Sequence, residues 1–316
     1  MSNIIEYSIV IPVFNSSKSL IEIVERIKNV FINEIKQTYE IIFVDDGSSN
    51  IITWPTLKKL TAENNAITIV KLMRNFGKSS AVLCGFSYVK GNYVIMMDDD
   101  LQHFPEDIPK LIIQKKHDIV IAEFKEKKHS FFKQKSSNIK GWFDYKLIGK
   151  PKHIKNSAFI LINSKIIRAI NNLNISNPFI SALLFFVSKD IVNVECTHGN
   201  RIEGKTGYTF KKLIIQFSNL LINNSSYLLK SVAYIGVTFS IFSFFMIIYY
   251  LYRYFFHGID VTGWLTLVIL TLLIGGLILF SIGVIGEYLI RIIKGIEKKP
   301  AFIVREEFIN YKNYNE

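Results

Sequence analysis

The sequence predicts a doubly wound, mostly parallel α/β sheet followed by an apolar, membrane-associated segment. Short apolar runs alternate with segments of helical period through the N-terminal two thirds of the chain. Two of those runs end directly in clusters of carboxylates, and two long uncharged stretches follow towards the C-terminus.

The run Tyr93-Val94-Ile95-Met96-Met97 passes without a break into Asp98-Asp99-Asp100-Leu101-Gln102. An apolar run this short, preceded by Gly91, reads as a strand buried on both faces. Three adjacent acids are too costly to bury unpaired, so they emerge at the carboxyl end of the strand, where open α/β sheets bind ligands. If the chain stays extended, Asp98 and Asp100 point the same way. Two converging carboxylates suit a hard divalent cation with coordination left over for phosphate oxygens. The plainer alternative is a solvated acidic turn that caps the next helix.

The remaining elements follow in order. Tyr7 to Val13 is a buried strand ending near Pro12 and Asn15, and Leu20, Ile23, Val24, Ile27 and Phe31 mark one face of a helix. Tyr39 to Val44 is the next strand and runs into Asp45-Asp46-Gly47-Ser48. Ala66 to Leu72 is a third, before Arg74-Asn75-Phe76-Gly77-Lys78 and a helix through Val89. A helix around Asp107 to Lys116 and a strand from Asp118 to Ala122 follow the organising strand. Two strand ends carrying acidic pairs argue for a site.

Several function classes drop out. Gly77-Lys78-Ser79 resembles the end of a P-loop, but the glycine that motif needs five positions earlier is Leu72. No G-x-G-x-x-G follows the first strand, which removes a Rossmann dehydrogenase. The net charge of +12 in 316 residues invites nucleic acid, yet the basic residues form no dense block with a binding motif. They cluster at Lys125 to Lys140, at Lys205, Lys211 and Lys212, and from Arg291 to Lys299. The last two clusters flank apolar stretches, which favours an anionic lipid surface. Cys84 and Cys196 lie far apart in a chain with no secretory signal and read as free thiols.

The successive blocks YSIVIPVFN, FVDDGSSN, LMRNFGKSSAVLCGF and GNYVIMMDDDLQHFPED resemble those of glycosyltransferase family 2. They are similar in particular to the polyprenyl-phosphate branch, which includes dolichol-phosphate mannose synthase and bacterial undecaprenyl-phosphate glucosyl and aminoarabinosyl transferases. The match runs over roughly residues 5 to 215. It implies a GT-A-like catalytic domain that uses Mg²⁺ or Mn²⁺ and a UDP-, GDP- or dTDP-linked sugar. On this resemblance Pro12, Asn15, Asp45, Asp46 and Asp99 form the nucleotide pocket. Asp98, Asp100 and Gln102 hold the metal, which spreads the charge developing on the nucleoside diphosphate. Asn92 and Ser16 stand where relatives often carry Asp and Glu.

Two further segments carry expectations from the same resemblance. Lys125 to Lys140 mixes cations with Phe131 and Phe132, and Lys125, Lys133 and Ser137 are the candidates for the acceptor's phosphate. A solvated loop is the alternative there. Arg201, Gly204, Lys205, Thr206 and Tyr208 fill an R-x-x-G-x-S-x-Y-like pattern, a loop that closes on the pyrophosphate. Arg201 and Lys205 would supply its positive charge, unless they only meet lipid headgroups. Ala158 and Ile160 replace an Asp and an Arg that face the sugar in many relatives.

Val232 to Tyr252 and Val261 to Gly286 are uncharged, and each is long enough for the roughly 20 residues of a spanning helix. Lysine and arginine concentrate before the first and after the second, so both ends lie on the cytoplasmic side. Phe210 to Leu229 reads as an amphipathic helix in the membrane interface. The expected organisation is a catalytic domain over 1–208, a juxtamembrane helix over 209–229, a transmembrane hairpin over 230–292 and a cytoplasmic tail over 293–316. The expected place is the bacterial cytoplasmic membrane, with a homo-oligomer left open.

The expected reaction is inverting transfer of a sugar to a polyprenyl phosphate, undecaprenyl phosphate on the resemblance. A phosphate acceptor is already ionised near neutral pH and needs no general base. The rival within the fold is transfer to a hydroxyl of a lipid-linked glycan, for which His103 and Asp107 are the nearby bases. A non-catalytic nucleotide-sugar-binding scaffold is the rival from another class.

Overall fold

The computed structural model describes residues 4–124, 150–151, 153–173, 175–197, 199, 263–296 and 299–309, with isolated helical positions between 234 and 256. Two compact units result: Met1–Gly207 together with Lys298–Glu316, and Tyr208–Glu297.

The first unit holds one eight-stranded sheet in the order β7-β5-β6-β4-β1-β2-β3-β8. The strands are β1 (Tyr7–Val13), β2 (Tyr39–Asp45), β3 (Ile67–Leu72), β4 (Tyr93–Met96), β5 (Ile119–Phe124), β6 (Ile160–Asn163), β7 (Ile191–Cys196) and β8 (Val304–Phe308). The helices are α1 (Lys18–Val30), α2 (Thr53–Glu63), α3 (Lys78–Ser87), α4 (Ile108–Ile113), α5 (Ser164–Asn171) and α6 (Ile180–Val187). β1 pairs in parallel with β2 and β4, β2 with β3, and β5 with β7. Only β6 and β8 run against the rest.

The apolar runs explain the centre of the sheet. All seven residues of β1 are buried, as a strand covered on both faces demands. Ile9, Ile11, Ile41, Phe43 and Ile95 join Leu20, Ile23 and Ile27 of α1 in one apolar cluster. After β1 the chain builds outward to β2 and β3, then α3 carries it back to place β4 on the other side of β1. That reversal makes a crevice at the carboxyl ends of β1 and β4, the usual ligand position in a doubly wound sheet.

Tyr7 carries a cost inside this core. Its ring packs on Phe31 and Tyr93, but its buried hydroxyl has no hydrogen-bond partner. Burial pushes its pKa up to about 12. A buried hydroxyl without a partner forfeits its hydration. Tyr7→Phe is therefore expected to raise unfolding free energy by about 1 kcal/mol, read as a higher urea midpoint.

β8 lies outside the elements expected from the sequence. It pairs antiparallel with β3 from Ile69↔Phe308 to Leu72↔Val304. Glu306 accepts from the Trp54 indole at 3.1 Å and pairs with Lys58 at 2.8 Å, and the Tyr88 hydroxyl donates to Glu307. Residues 304–308 are thus built into the sheet of the first unit.

In the second unit α7 (Trp264–Ile296) runs for 33 residues, about 50 Å at 1.5 Å per residue. It is the one helix among the described residues long and apolar enough to cross a membrane, over Leu273–Ile290. Of the first expected span only isolated positions are described, and these are helical.

Candidate active site

The crevice is framed by three short loops. Pro12 pairs with Val44, just past the last β1–β4 pair at Val10↔Met96. Asn15 adopts φ 60°, a left-handed conformation that asparagine tolerates better than most residues. Its amide donates to Ser48 Oγ at 2.8 Å, and its Oδ1 accepts from the Ser49 and Asn50 amides at 2.9 Å. Asn15 thereby ties the end of β1 to the loop after β2.

Asp45 and Asp46 are both buried but differently engaged. Asp46 accepts from the Phe76 amide at 2.7 Å and the Gly77 amide at 2.9 Å, one on each oxygen. Burial pushes its pKa up against those two hydrogen bonds. Asp45 Oδ1 takes the Ser48 amide at 2.9 Å, while Oδ2 has no hydrogen-bond partner and sits 4.0 Å from the Lys71 ammonium. Gly47 between Ser48 and Asp46 has φ 65°, and a Cβ there would lie 2.4 Å from the Arg74 carbonyl carbon. No larger residue fits that approach.

The acidic stretch does not continue the strand. β4 stops at Met96, and the Met97 amide makes the last bond across to Val10 at 3.2 Å. The acids occupy a turn, with Leu101 at φ 60° and only 1% exposed. The alternation expected of an extended chain therefore does not set where these side chains point. Asp98 Oδ1 meets the Lys78 ammonium at 2.5 Å. Asp99 Oδ2 accepts from the Phe14 amide at 3.4 Å, and Asp100 Oδ1 accepts from the Gln102 amide at 3.2 Å.

Asp99 is pushed from 3.8 to about 6, first by burial, while the Ser16 hydroxyl and Phe14 amide act the other way. Asp98 and Asp100 add to the rise. A native pKa above the unfolded one means the native state holds the extra proton between about pH 4 and 6. In metal-free buffer, stability is expected to fall as pH rises through that window. Asp99→Asn should flatten the slope, and urea midpoints at pH 4, 5 and 6 check it.

The donor set fits a hard divalent cation. Asp98 Oδ1 already faces an ammonium cation, Asp100 is half-buried beside it in the turn, and both offer oxygen ligands. No group of three metal-ligating side chains occurs among the described residues. Such a pair suits Mg²⁺ or Mn²⁺ that keeps waters or phosphate oxygens for the rest of its shell.

The expected bases are both buried and hydrogen-bonded. His103 is 6% exposed, and its Nδ1 accepts from the Asp98 amide at 3.0 Å. Asp107 is 4% exposed, accepts from the Thr197 amide at 2.6 Å and pairs with Lys110 at 2.5 Å.

Residues 8–172 match the family described as Glycosyl transferase family 2. The chain is 31% identical to the uncharacterized glycosyltransferase YkcC of Bacillus subtilis over 98% of this chain and 96% of that one. The chain belongs to glycosyltransferase family 2. It is also 28% identical to the undecaprenyl-phosphate 4-deoxy-4-formamido-L-arabinose transferase of Proteus mirabilis, over 95% of this chain and 93% of that one. Glucosyl-3-phosphoglycerate synthase of Mycobacterium tuberculosis, solved with Mn²⁺, UDP-glucose and phosphoglyceric acid, aligns at TM-score 0.48 and 14% identity. That alignment covers 69% of this chain and 79% of the other.

In this family 2 glycosyltransferase two site contributors escaped sequence reasoning. Lys78 belongs to the segment set aside as a failed P-loop, and its ammonium lies against Asp98. Gly199 donates its amide to the Gln102 carbonyl at 3.0 Å, which draws the end of β7 to the acidic turn. A cation four residues after Arg74, at the start of a helix, was the available signal for Lys78; Gly199 left none. Lys125, Lys133, Ser137, Arg201, Gly204, Lys205, Thr206 and Tyr208 lie outside the described residues.

Proposed function

We propose that this glycosyltransferase is a membrane-bound, inverting enzyme that moves a sugar from a nucleotide donor to a polyprenyl phosphate, undecaprenyl phosphate in the first instance. The observation that carries the choice of acceptor is the engagement of His103 and Asp107. A hydroxyl acceptor needs a base within reach of its proton. Near the acidic turn the two candidates named for that role are buried and hydrogen-bonded to backbone amides. A phosphate acceptor dispenses with the base, and the similarity to undecaprenyl-phosphate transferases supports the same choice.

In the proposed reaction an oxygen of the lipid phosphate attacks the anomeric carbon from the face opposite the nucleotide. The bond to the nucleoside diphosphate breaks as the new glycosyl phosphate bond forms, so configuration inverts. Asp98 and Asp100, with Gln102, would hold the divalent cation of a GT-A-like site. When bound, that ion stabilises negative charge on the departing diphosphate. Asp45, Asp99, Pro12 and Asn15 shape the donor pocket, with Asp46 bracing the loop behind it. Arg201 and Lys205 follow Gly199 closely in sequence and would add positive charge at the diphosphate. Lys125, Lys133 and Ser137 would meet the acceptor's phosphate.

The membrane reading draws on the sheet. Residues on both sides of 208–297 belong to one compact unit, because β8 pairs with β3. A segment whose two ends return to the same folded unit crosses a bilayer an even number of times. That parity supports a two-helix hairpin over 230–292, with the catalytic domain and both termini in the cytoplasm. The test is transfer in detergent micelles with Mn²⁺, undecaprenyl phosphate and a panel of UDP-, GDP- and dTDP-sugars, with lipid products read by mass. A glycosyl lipid phosphate from one donor is the expected product. Donor hydrolysis without it would move the acceptor to a glycan hydroxyl, and no turnover at all would favour a scaffold.

A further inference from the structure

The turn that carries Asp98 and Asp100 has to hold its shape without a ladder beneath it. β4 ends at Met96, so from Asp98 onward the backbone lacks its β1 partner. Beside the Phe14 amide on Asp99 Oδ2 at 3.4 Å, contacts at both ends of the turn stand in for the ladder. Asp100 Oδ1 accepts from the Gln102 amide at 3.2 Å, Gly199 donates to the Gln102 carbonyl at 3.0 Å, and Asp98 donates its amide to His103 Nδ1 at 3.0 Å. The first two hold the far end of the turn. The third acts on the backbone of the residue that begins it, whose carboxylate also pairs with Lys78 at 2.5 Å, and it closes Asp98 to His103 into a ring.

The imidazole is itself clamped. It stacks on Phe124 with ring centroids 5.6 Å apart and planes 6° from parallel, and on Phe159 at 5.3 Å and 14°. Phe124 ends β5 and Phe159 immediately precedes β6. The sheet order β5-β6-β4 explains how this arises, since His103 in the turn leaving β4 packs on rings carried by β5 and by the residue before β6, the next two strands on that side. Two parallel aromatic faces leave the ring little freedom to tilt. Its Nδ1 lone pair is therefore aimed at one point, the Asp98 amide. Because Nδ1 accepts the amide's hydrogen bond there, the proton of the neutral ring sits on Nε2.

We propose that His103 is a positioning residue for the acidic turn: the Phe124–His103–Phe159 stack presents Nδ1 to the Asp98 amide and so sets the aim of the Asp98 carboxylate. The inference rests on the reading that Asp98 and Asp100 hold a divalent cation. It gives His103 a part in that site in place of the proton-accepting part expected from the sequence. It also makes cation binding depend on two phenyl rings from strands that carry no ligand. Groups that orient metal ligands in this way typically change metal affinity or activity about 10- to 100-fold when altered.

Two substitutions separate the hydrogen bond from the packing. His103→Phe can keep a ring packed on Phe124 and Phe159 but offers no acceptor to the Asp98 amide. His103→Asn loses the ring but carries an amide oxygen close to where Nδ1 lies. Full-length protein in detergent micelles is titrated with Mn²⁺ alone and with UDP, GDP or dTDP, and free Mn²⁺ is read by electron paramagnetic resonance. Thermal unfolding is followed on the same samples.

The expected result is Mn²⁺ binding weakened about 10- to 100-fold in His103→Phe, with His103→Asn recovering most of the loss. Phe124→Ala leaves every polar group in place while removing one of the two stacking rings, and it should weaken Mn²⁺ in the same direction. This variant decides the matter should His103→Phe not fold. Unchanged Mn²⁺ affinity in a folded His103→Phe overturns the proposal. Equal weakening in His103→Phe and His103→Asn does so too, because it assigns the effect to packing. Asp100→Asn serves as the reference: if it binds Mn²⁺ as the wild type does, the metal reading itself falls, and the role of His103 with it.

Discussion

Asp100→Asn is expected to cut sugar transfer by on the order of 10²–10³-fold while leaving the sheet intact. The substitution removes one negative charge from the turn and with it a hard oxygen ligand. It keeps the carbonyl-type oxygen that the Gln102 amide needs, since Asp100 Oδ1 accepts that bond at 3.2 Å. The turn therefore keeps its internal support, and the melting temperature should move by no more than a few degrees. Asp98→Asn is a less clean probe, because Asp98 also pairs with Lys78 at 2.5 Å. Lipid product measured by mass at saturating donor, beside circular dichroism of both proteins, checks the prediction. Full activity in a folded Asp100→Asn would sink the proposed chemistry.

Gly199→Ala is expected to cost about 100-fold in transfer, although position 199 bears no catalytic group. A Cβ there would lie 2.7 Å from the Leu101 carbonyl oxygen and 2.8 Å from the Phe104 ring. The oxygen is backbone and cannot swing aside as a flexible side chain could. Leu101 is also poorly placed to yield, since it is buried in a left-handed conformation. The strain is relieved only by moving the acidic turn or by releasing the Gly199–Gln102 bond. Either change displaces the groups proposed to meet the donor. Overpacking of this kind typically costs about 1–3 kcal/mol of stability, so the variant should fold at reduced temperature. Near-normal transfer with a lowered melting temperature would show that the turn tolerates displacement.

Much of this architecture was legible in the residues. The apolar runs of β1, β2, β3 and β4, the buried face of α1 and the acids after β2 and β4 follow from period and burial alone. The reversed strand β6 was not legible, because ILIN is four residues long and its place between β4 and β5 is set by pairing, not by its own pattern. β8 was hidden for a related reason: VREEF is a half-exposed edge strand rich in charge, and its partners are distant. At the site, the residue types were readable and their geometry was not. Period-two alternation presumes a strand, and β4 stops before the acids begin. His103 likewise reads as a base from its type, and its stacking on two phenyl rings with Nδ1 on the Asp98 amide left no mark in the sequence.

The pairing of β8 with β3 also orders events in time. Trp54 and Glu306 are 252 residues apart, so the bond between them waits for nearly the whole chain to leave the ribosome. Until then β3 stands as an open edge, with unpaired amides and carbonyls able to recruit another strand. The apolar segment is synthesised before β8 and has already met its own environment when the last strand arrives. Contacts of such long sequence separation form slowly. Closure of the β3 edge accordingly cannot precede synthesis of residues 304–308, and a chain released before residue 304 leaves that edge uncovered.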